Sequence, residues 1–81
     1  MRPLGNKIQL KIEEISVGAV KTDSIVEKAS VVAVGALCSD STRAFIGKTL
    51  FFKAWAVDVI TDGKEKYYFI SEDSDAICAI S

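Results

Sequence analysis

The chain has 81 residues, a formal net charge of −1 from 10 Lys plus Arg against 11 Asp plus Glu, and a composition that is 49% hydrophobic. At this length a single domain has a marginal core that leans on a disulfide, a metal or a partner subunit. The near-neutral charge gives little pull toward nucleic-acid phosphates or anionic lipid, no apolar run approaches the roughly 18 residues of a membrane span, and the lack of histidine excludes a Cys/His zinc site.

Cys38 and Cys78 are the only cysteines and allow at most one disulfide. Their wide separation suits free thiols in a reducing compartment, and the opening Met-Arg-Pro-Leu-Gly-Asn-Lys carries no apolar core of a secretory signal. The expectation is a soluble cytoplasmic protein that gains its missing stability by oligomerising.

Nine isoleucines and eight valines against four leucines favour strands over helices. From Lys7 the chain alternates, with Ile8, Leu10 and Ile12 on one side and Lys7, Gln9, Lys11 and Glu13 on the other, as a half-buried strand requires. Residues 15–29 keep neither strand nor helix period, and they read as one long loop, the kind that usually carries function. A helical turn capped by Asp23 or Ser24 is the competing reading. Val31, Val32, Ala33 and Val34, closed by Gly35, form an apolar run expected to be a strand buried on both faces. The polar stretch at 38–43 reads as a second loop, and residues 47–53 as a third strand.

Asp62-Gly63 is the strongest hairpin signal, because both central positions of a type I′ turn need positive φ. Centring the turn there sets Val59 opposite Lys66, Val57 opposite Tyr68 and Trp55 opposite Ile70, so that Trp55, Val57, Val59, Tyr68 and Ile70 share a core face. Asp58 and Glu65 stay wet on the other. Residues 76–80 end the chain as an apolar strand whose natural partner is another subunit.

Chemistry-bearing patterns are few. Gly47-Lys48-Thr49 lacks the glycine that a phosphate-binding loop needs, since position 42 is Thr42, and Leu50-Phe51-Phe52 continues as strand. No histidine is present to serve as a base, so either cysteine is read as a small buried hydrophobe. Glu72, Asp73 and Asp75 lack the calcium-loop pattern and read as a solvated turn. The basic and aromatic mixture in Lys64-Glu65-Lys66-Tyr67-Tyr68-Phe69 follows from a hairpin with one buried face. The residues by themselves therefore describe a small, non-catalytic, mostly β domain with one long loop and an oligomeric interface.

Five blocks stand in order along the chain: Arg2-Pro3-Leu4-Gly5-Asn6-Lys7-Ile8, Val31-Val32-Ala33-Val34-Gly35, residues 47–52, residues 65–72 and Ile77-Cys78-Ala79-Ile80. In that order and spacing they resemble the ten-kilodalton co-chaperonins typified by GroES, whose corresponding motifs are R-P-L-x-D-R-V, V-V-A-V-G, G-D-x-V-x-F with Lys48 here in place of the acid, E-E-Y-L-I-L-R-E and a closing I-L-A-I.

The resemblance implies a partly open GroES-like β-barrel spanning residues 1–81 that assembles as a seven-membered ring. The C-terminal strand of one subunit pairs with the N-terminal strand of the next, which puts Ile8, Leu10, Ile77, Ala79 and Ile80 at the interface. It further implies that the loop at 15–29 is the family's mobile loop, whose apolar tripeptide docks on the ATP-bound, GroEL-like chaperonin and caps its folding chamber. Thr22-Asp23-Ser24-Ile25-Val26 aligns with that segment, so Ser24, Ile25 and Val26 are the implied chaperonin-binding residues. Neither catalytic residues nor a cofactor or metal is implied.

Burying Ile25 and Val26 is worth roughly 1.5 to 3 kcal/mol per side chain before ordering costs, and a ring multiplies such weak contacts through effective concentration. The chain departs from the family at Ser24, which replaces a glycine, and at Glu27, which replaces a third apolar residue. The stretch after the tripeptide and the roof segment at 36–46 are both shortened. Two alternatives stay open for the loop: Ile25 and Val26 pack on their own barrel, or Val17-Gly18-Ala19-Val20 makes the contact. For function, the alternative is a GroES-like ring that has lost chaperonin binding or serves a divergent, viral-type assembly. The zinc-dependent alcohol dehydrogenases also contain a domain of GroES-like fold, but the chain lacks the histidine and nucleotide-binding region that they need.

Overall fold

The computed structural model describes residues 2–12 and 26–81. Five strands follow the first, and all six join one antiparallel sheet. They are β1 (Lys7–Lys11), β2 (Val26–Val34), β3 (Thr49–Lys53), β4 (Asp58–Asp62), β5 (Glu65–Ser71) and β6 (Ile77–Ile80), in the order β4-β5-β1-β2-β3-β6. The sheet does not close on itself, so the expectation of a mostly β fold with a partly open barrel holds. No helix among the described residues is long and apolar enough to cross a membrane.

Alternation in β1 turns Ile8 and Leu10 inward, where both are buried. Around them the inner face collects Ala29 and Val31 from β2, Leu50 and Phe52 from β3, and Ile70 from β5. Phe52, Ile8, Leu50, Ile70 and Val31 are the largest side chains wholly removed from water. β2 starts at Val26, so residues 26–29, read from sequence as the end of the loop, are strand paired with β3.

A bulge governs how Val31–Val34 is buried. Gln9 pairs with Ala33 but Leu10 pairs with Val31, which leaves Val32 as the extra residue. The bulge resets the two-residue period, so Val31 faces the core and Val34 packs against it, while Val32 remains 43% exposed. The run is therefore buried on one face rather than two. A second shift occurs in β6, where Phe51 pairs with Ala79 and Phe52 with Ile77, bypassing Cys78. Ile77 and Ile80 both reach the core, and Cys78 is exposed.

The hairpin turns one residue later than the sequence suggests. Asp62 pairs with Glu65, so Gly63 and Lys64 are the turn, and only Gly63 takes a positive φ, of 63°. Glycine at the first central position suits a type II′ geometry, which leaves Asp62 in the strand. Val59 consequently faces Tyr68, not Lys66, and Asp58 faces Phe69.

Trp55 does not reach the strand. Residues Ala54–Ala56 form a 3₁₀ turn closed by the Val57 amide donating to Ala54 O at 3.4 Å, and Trp55 is left 57% exposed. β4 is an edge strand with every residue exposed, so Val59 stays outside the core proper. Asp58 and Glu65 are exposed as expected.

The polar stretch at 38–43 contains one helical turn, α1 (Asp40–Arg43). Ser39 Oγ accepts from the Thr42 amide at 3.3 Å, the usual N-cap contact for serine. Arg43 donates to the carbonyl of Ala36 at 2.7 Å and holds this turn against the end of β2.

Ahead of β1 the chain crosses over Gly35. The Leu37 amide donates to Gly5 O at 2.9 Å, and a Cβ on Gly35 would overlap that same carbonyl oxygen. Because the obstacle is backbone, it cannot rotate away. Gly35→Ala is expected to cost about 1–3 kcal/mol, read from urea denaturation, with the N-terminal crossing displaced; an unchanged midpoint would show that the crossing is not tightly held.

Candidate functional site

The structure locates the roots of the segment that the resemblance marks as functional. Ile12 follows the end of β1, and Val26 opens β2. Ser24 and Ile25, with the alternative Val17-Gly18-Ala19-Val20 and the suggested cap at Asp23 or Ser24, lie outside the described residues. Val26 is paired opposite Lys53 and is 50% exposed, on the face of β2 shared with the exposed Lys28 and Ser30.

Glu27 points the other way. It sits opposite Phe52, in phase with the buried Ala29 and Val31, and is itself half-buried. There it joins Ile12, Phe52, Ala54, Val57, Val59 and Tyr68 around an apolar cavity of about 130 Å³. Elements far apart in sequence meet at this opening: the end of β1, the start of β2, the end of β3, the 3₁₀ turn and the middle of the β4–β5 hairpin. Among the described residues Glu27 is the only charged residue of this lining, and the surface turned to the cavity is almost wholly hydrocarbon and aromatic.

Sequence reasoning set Glu27 aside as a departure from an apolar tripeptide. The signal that would have placed it was the alternation Glu27, Ala29, Val31, which puts a charge in the core phase of a strand.

Polar contacts gather where the start of α1 meets the turn that follows β5. Glu72 Oε2 accepts from the Ser39 amide at 3.0 Å and from Ser39 Oγ at 3.4 Å. Hydrogen bonding from the Thr42 side chain and then from the Ser39 amide holds the Glu72 carboxyl below its ordinary range. Of the acidic cluster, only Glu72 is thus engaged, while Asp73 and Asp75 face solvent. No group of three or more metal-ligating side chains gathers among the described residues.

On the outer face Lys7 Nζ donates to Ser71 Oγ at 2.8 Å and lies 3.8 Å from Asp58 Oδ2, a pair exposed enough to contribute little. Cys38 Sγ donates to Lys7 O at 3.6 Å, and burial pushes its thiol pKa up, which keeps it protonated at neutral pH. Both cysteines are free.

The residues implied as a subunit interface divide into two groups. Ile8 and Leu10 are spent on the chain's own core, and β1 has no open edge over residues 7–10 because β2 and β5 occupy both sides. Ile77 and Ile80 also pack inward, whereas Ala79 is exposed. β6 finds a partner within the chain, β3, with a reciprocal pair between Thr49 and Ser81 extending the ladder. Its other edge is the outer margin of the sheet.

No protein-family model matches the sequence, and no curated protein matches it either.

Because the folded chain holds Glu72 ionised more readily than the unfolded chain does, its contribution to stability is complete above the ordinary carboxylate value of about 4.3 and is lost as pH falls through the lower folded value. The stability difference between wild type and Glu72→Gln, measured by urea denaturation at pH 7, 5 and 3, is expected to be largest at pH 7 and to shrink toward pH 3. A difference independent of pH would remove the charge from the account of the Ser39 contacts.

Proposed function

We propose that this chain is a co-chaperonin subunit: a non-catalytic protein that assembles as a ring, with seven subunits by family analogy, and caps a nucleotide-bound, GroEL-like chaperonin in the cytoplasm to assist protein folding. The observation that carries the reading is the order in which the five resembling blocks fall on the fold. They occupy the crossing into β1, the second half of β2, the approach to β3 with most of that strand, β5 with the first residue of its following turn, and β6. The segment expected to touch the chaperonin lies between β1 and β2, as it does in the family pattern.

In this reading Ser24, Ile25 and Val26 make the chaperonin contact, with Val26 at its base as the first paired residue of β2. Since both edges of β1 are occupied, a neighbouring subunit would meet the open edge of β6 with the chain ahead of Lys7, where Leu4 is 76% exposed. Such pairing would also cover an edge that invites aggregation.

Co-sedimentation with a chaperonin from the same source, in ATP, ADP and no nucleotide, tests the proposal. Capture is expected only with nucleotide, and Ile25→Asp is expected to reduce it more than about tenfold, because a carboxylate would replace an apolar group in an apolar groove. Rings that form but ignore chaperonin in every nucleotide state would favour the alternative of a structural assembly. A monomer that binds nothing would overturn both.

A further inference from the structure

The sheet has two margins, β4 and β6, each with an open backbone row among the described residues. They differ in charge. β6 carries no charged side chain, whereas β4 has an aspartate at each end of Val59-Ile60-Thr61. All residues of β4 are exposed, so its β-branched middle stands open to water along an unpaired row, the kind of edge that pairs with another chain.

The partner nearest to hand is a second copy. Two β4 edges related by a two-fold axis through Ile60 would pair antiparallel over their full length, with Ile60 opposite Ile60, Val59 opposite Thr61 and Asp58 opposite Asp62. The middle of that register is favourable, but its ends set carboxylate against carboxylate, once on each side of the axis. Like charges directly opposite on neighbouring strands oppose pairing. Alternation puts Asp58, Ile60 and Asp62 on the face away from Tyr68, and Glu65, opposite Asp62 within the hairpin, adds a third carboxylate at each end. Lys7, 3.8 Å from Asp58, offsets part of this charge through water, while Lys66 stands opposite Thr61 on the other face. A slip of two residues would separate the carboxylates but leave two of the five positions unpaired.

We infer that Asp58 and Asp62 keep the β4 edges of two copies from pairing, which leaves uncharged β6 as the margin through which copies can meet. The inference rests on strand register and charge, holds whether or not the chain caps a chaperonin, and needs no chaperonin for its test.

The experiment is a charge exchange read by light scattering, with hydrogen exchange of the β4 amides as the local probe. Asp58→Lys/Asp62→Lys presents like charges to itself and is expected to keep the wild-type mass. Mixed in equal amounts with wild type, it brings opposite charges together in the same register. The mixture is expected at least to double that mass and to slow exchange of the β4 amides by about tenfold or more. Asp62→Lys, which keeps the contact of Asp58 with Lys7, makes the strand self-complementary and is expected to associate by itself. That single variant decides the question if the double substitution fails to fold. A mixture of folded chains no heavier than its components, an Asp62→Lys variant at the wild-type mass, a doubly substituted chain that associates alone, or wild-type β4 amides whose protection rises with protein concentration would each overturn the inference.

Discussion

β1 is hydrogen-bonded along both edges, to β2 on one side and to β5 on the other, and its inward residues Ile8 and Leu10 lie at the centre of the apolar cluster. A chain of this size can afford only one layer of fully buried side chains, so the strand that touches most of that layer sets the position of the rest. Leu50 and Phe52 meet it from β3 by way of β2, and Ile70 meets it directly from β5. The edge strands β4 and β6 contribute less to the core and keep an open backbone row each.

Both bulges follow from this demand. Two residues that must point inward stand an odd number of positions apart in each case, Val31 and Val34 in β2, Ile77 and Ile80 in β6. A regular strand would turn one of each pair to solvent. One unpaired residue restores the phase, with Val32 and Cys78 as the residues displaced. An exposed valine and an exposed cysteine are thus by-products of putting larger aliphatics in the core.

Much of this architecture was legible in the sequence where local signals and burial agree. The alternation from Lys7 and the β-branched excess announced β1 and the fold class, and the apolar terminal run announced β6. Legibility failed where non-local geometry decided the outcome. Nothing local distinguishes a turn at Asp62-Gly63 from one at Gly63-Lys64, since glycine serves either, and the two-residue change in register carried Val59 opposite Tyr68. The bulge at Val32 is invisible in a run of similar residues. The contact of Glu72 with Ser39 joins positions 33 residues apart and leaves no spacing to read. At the cavity the situation was intermediate, because the inward phase of Glu27 is written in residues 27–31 while its companions Tyr68 and Val57 come from a distant hairpin.

The pairing of β1 with β5 has a kinetic side. The Lys7–Ser71 contact spans 64 positions, so the strand at the centre of the sheet cannot acquire its second partner until nearly the whole chain has been synthesised. The hairpin of β4 and β5 can form on its own from neighbouring residues, but closing the long loop that brings it to β1 carries an entropic cost that local hairpins do not. A nascent chain ending before β5 therefore exposes one edge of β1 together with the apolar flanks of Ile8 and Leu10. The step that ends this exposure is the arrival of β5 on the open edge of β1.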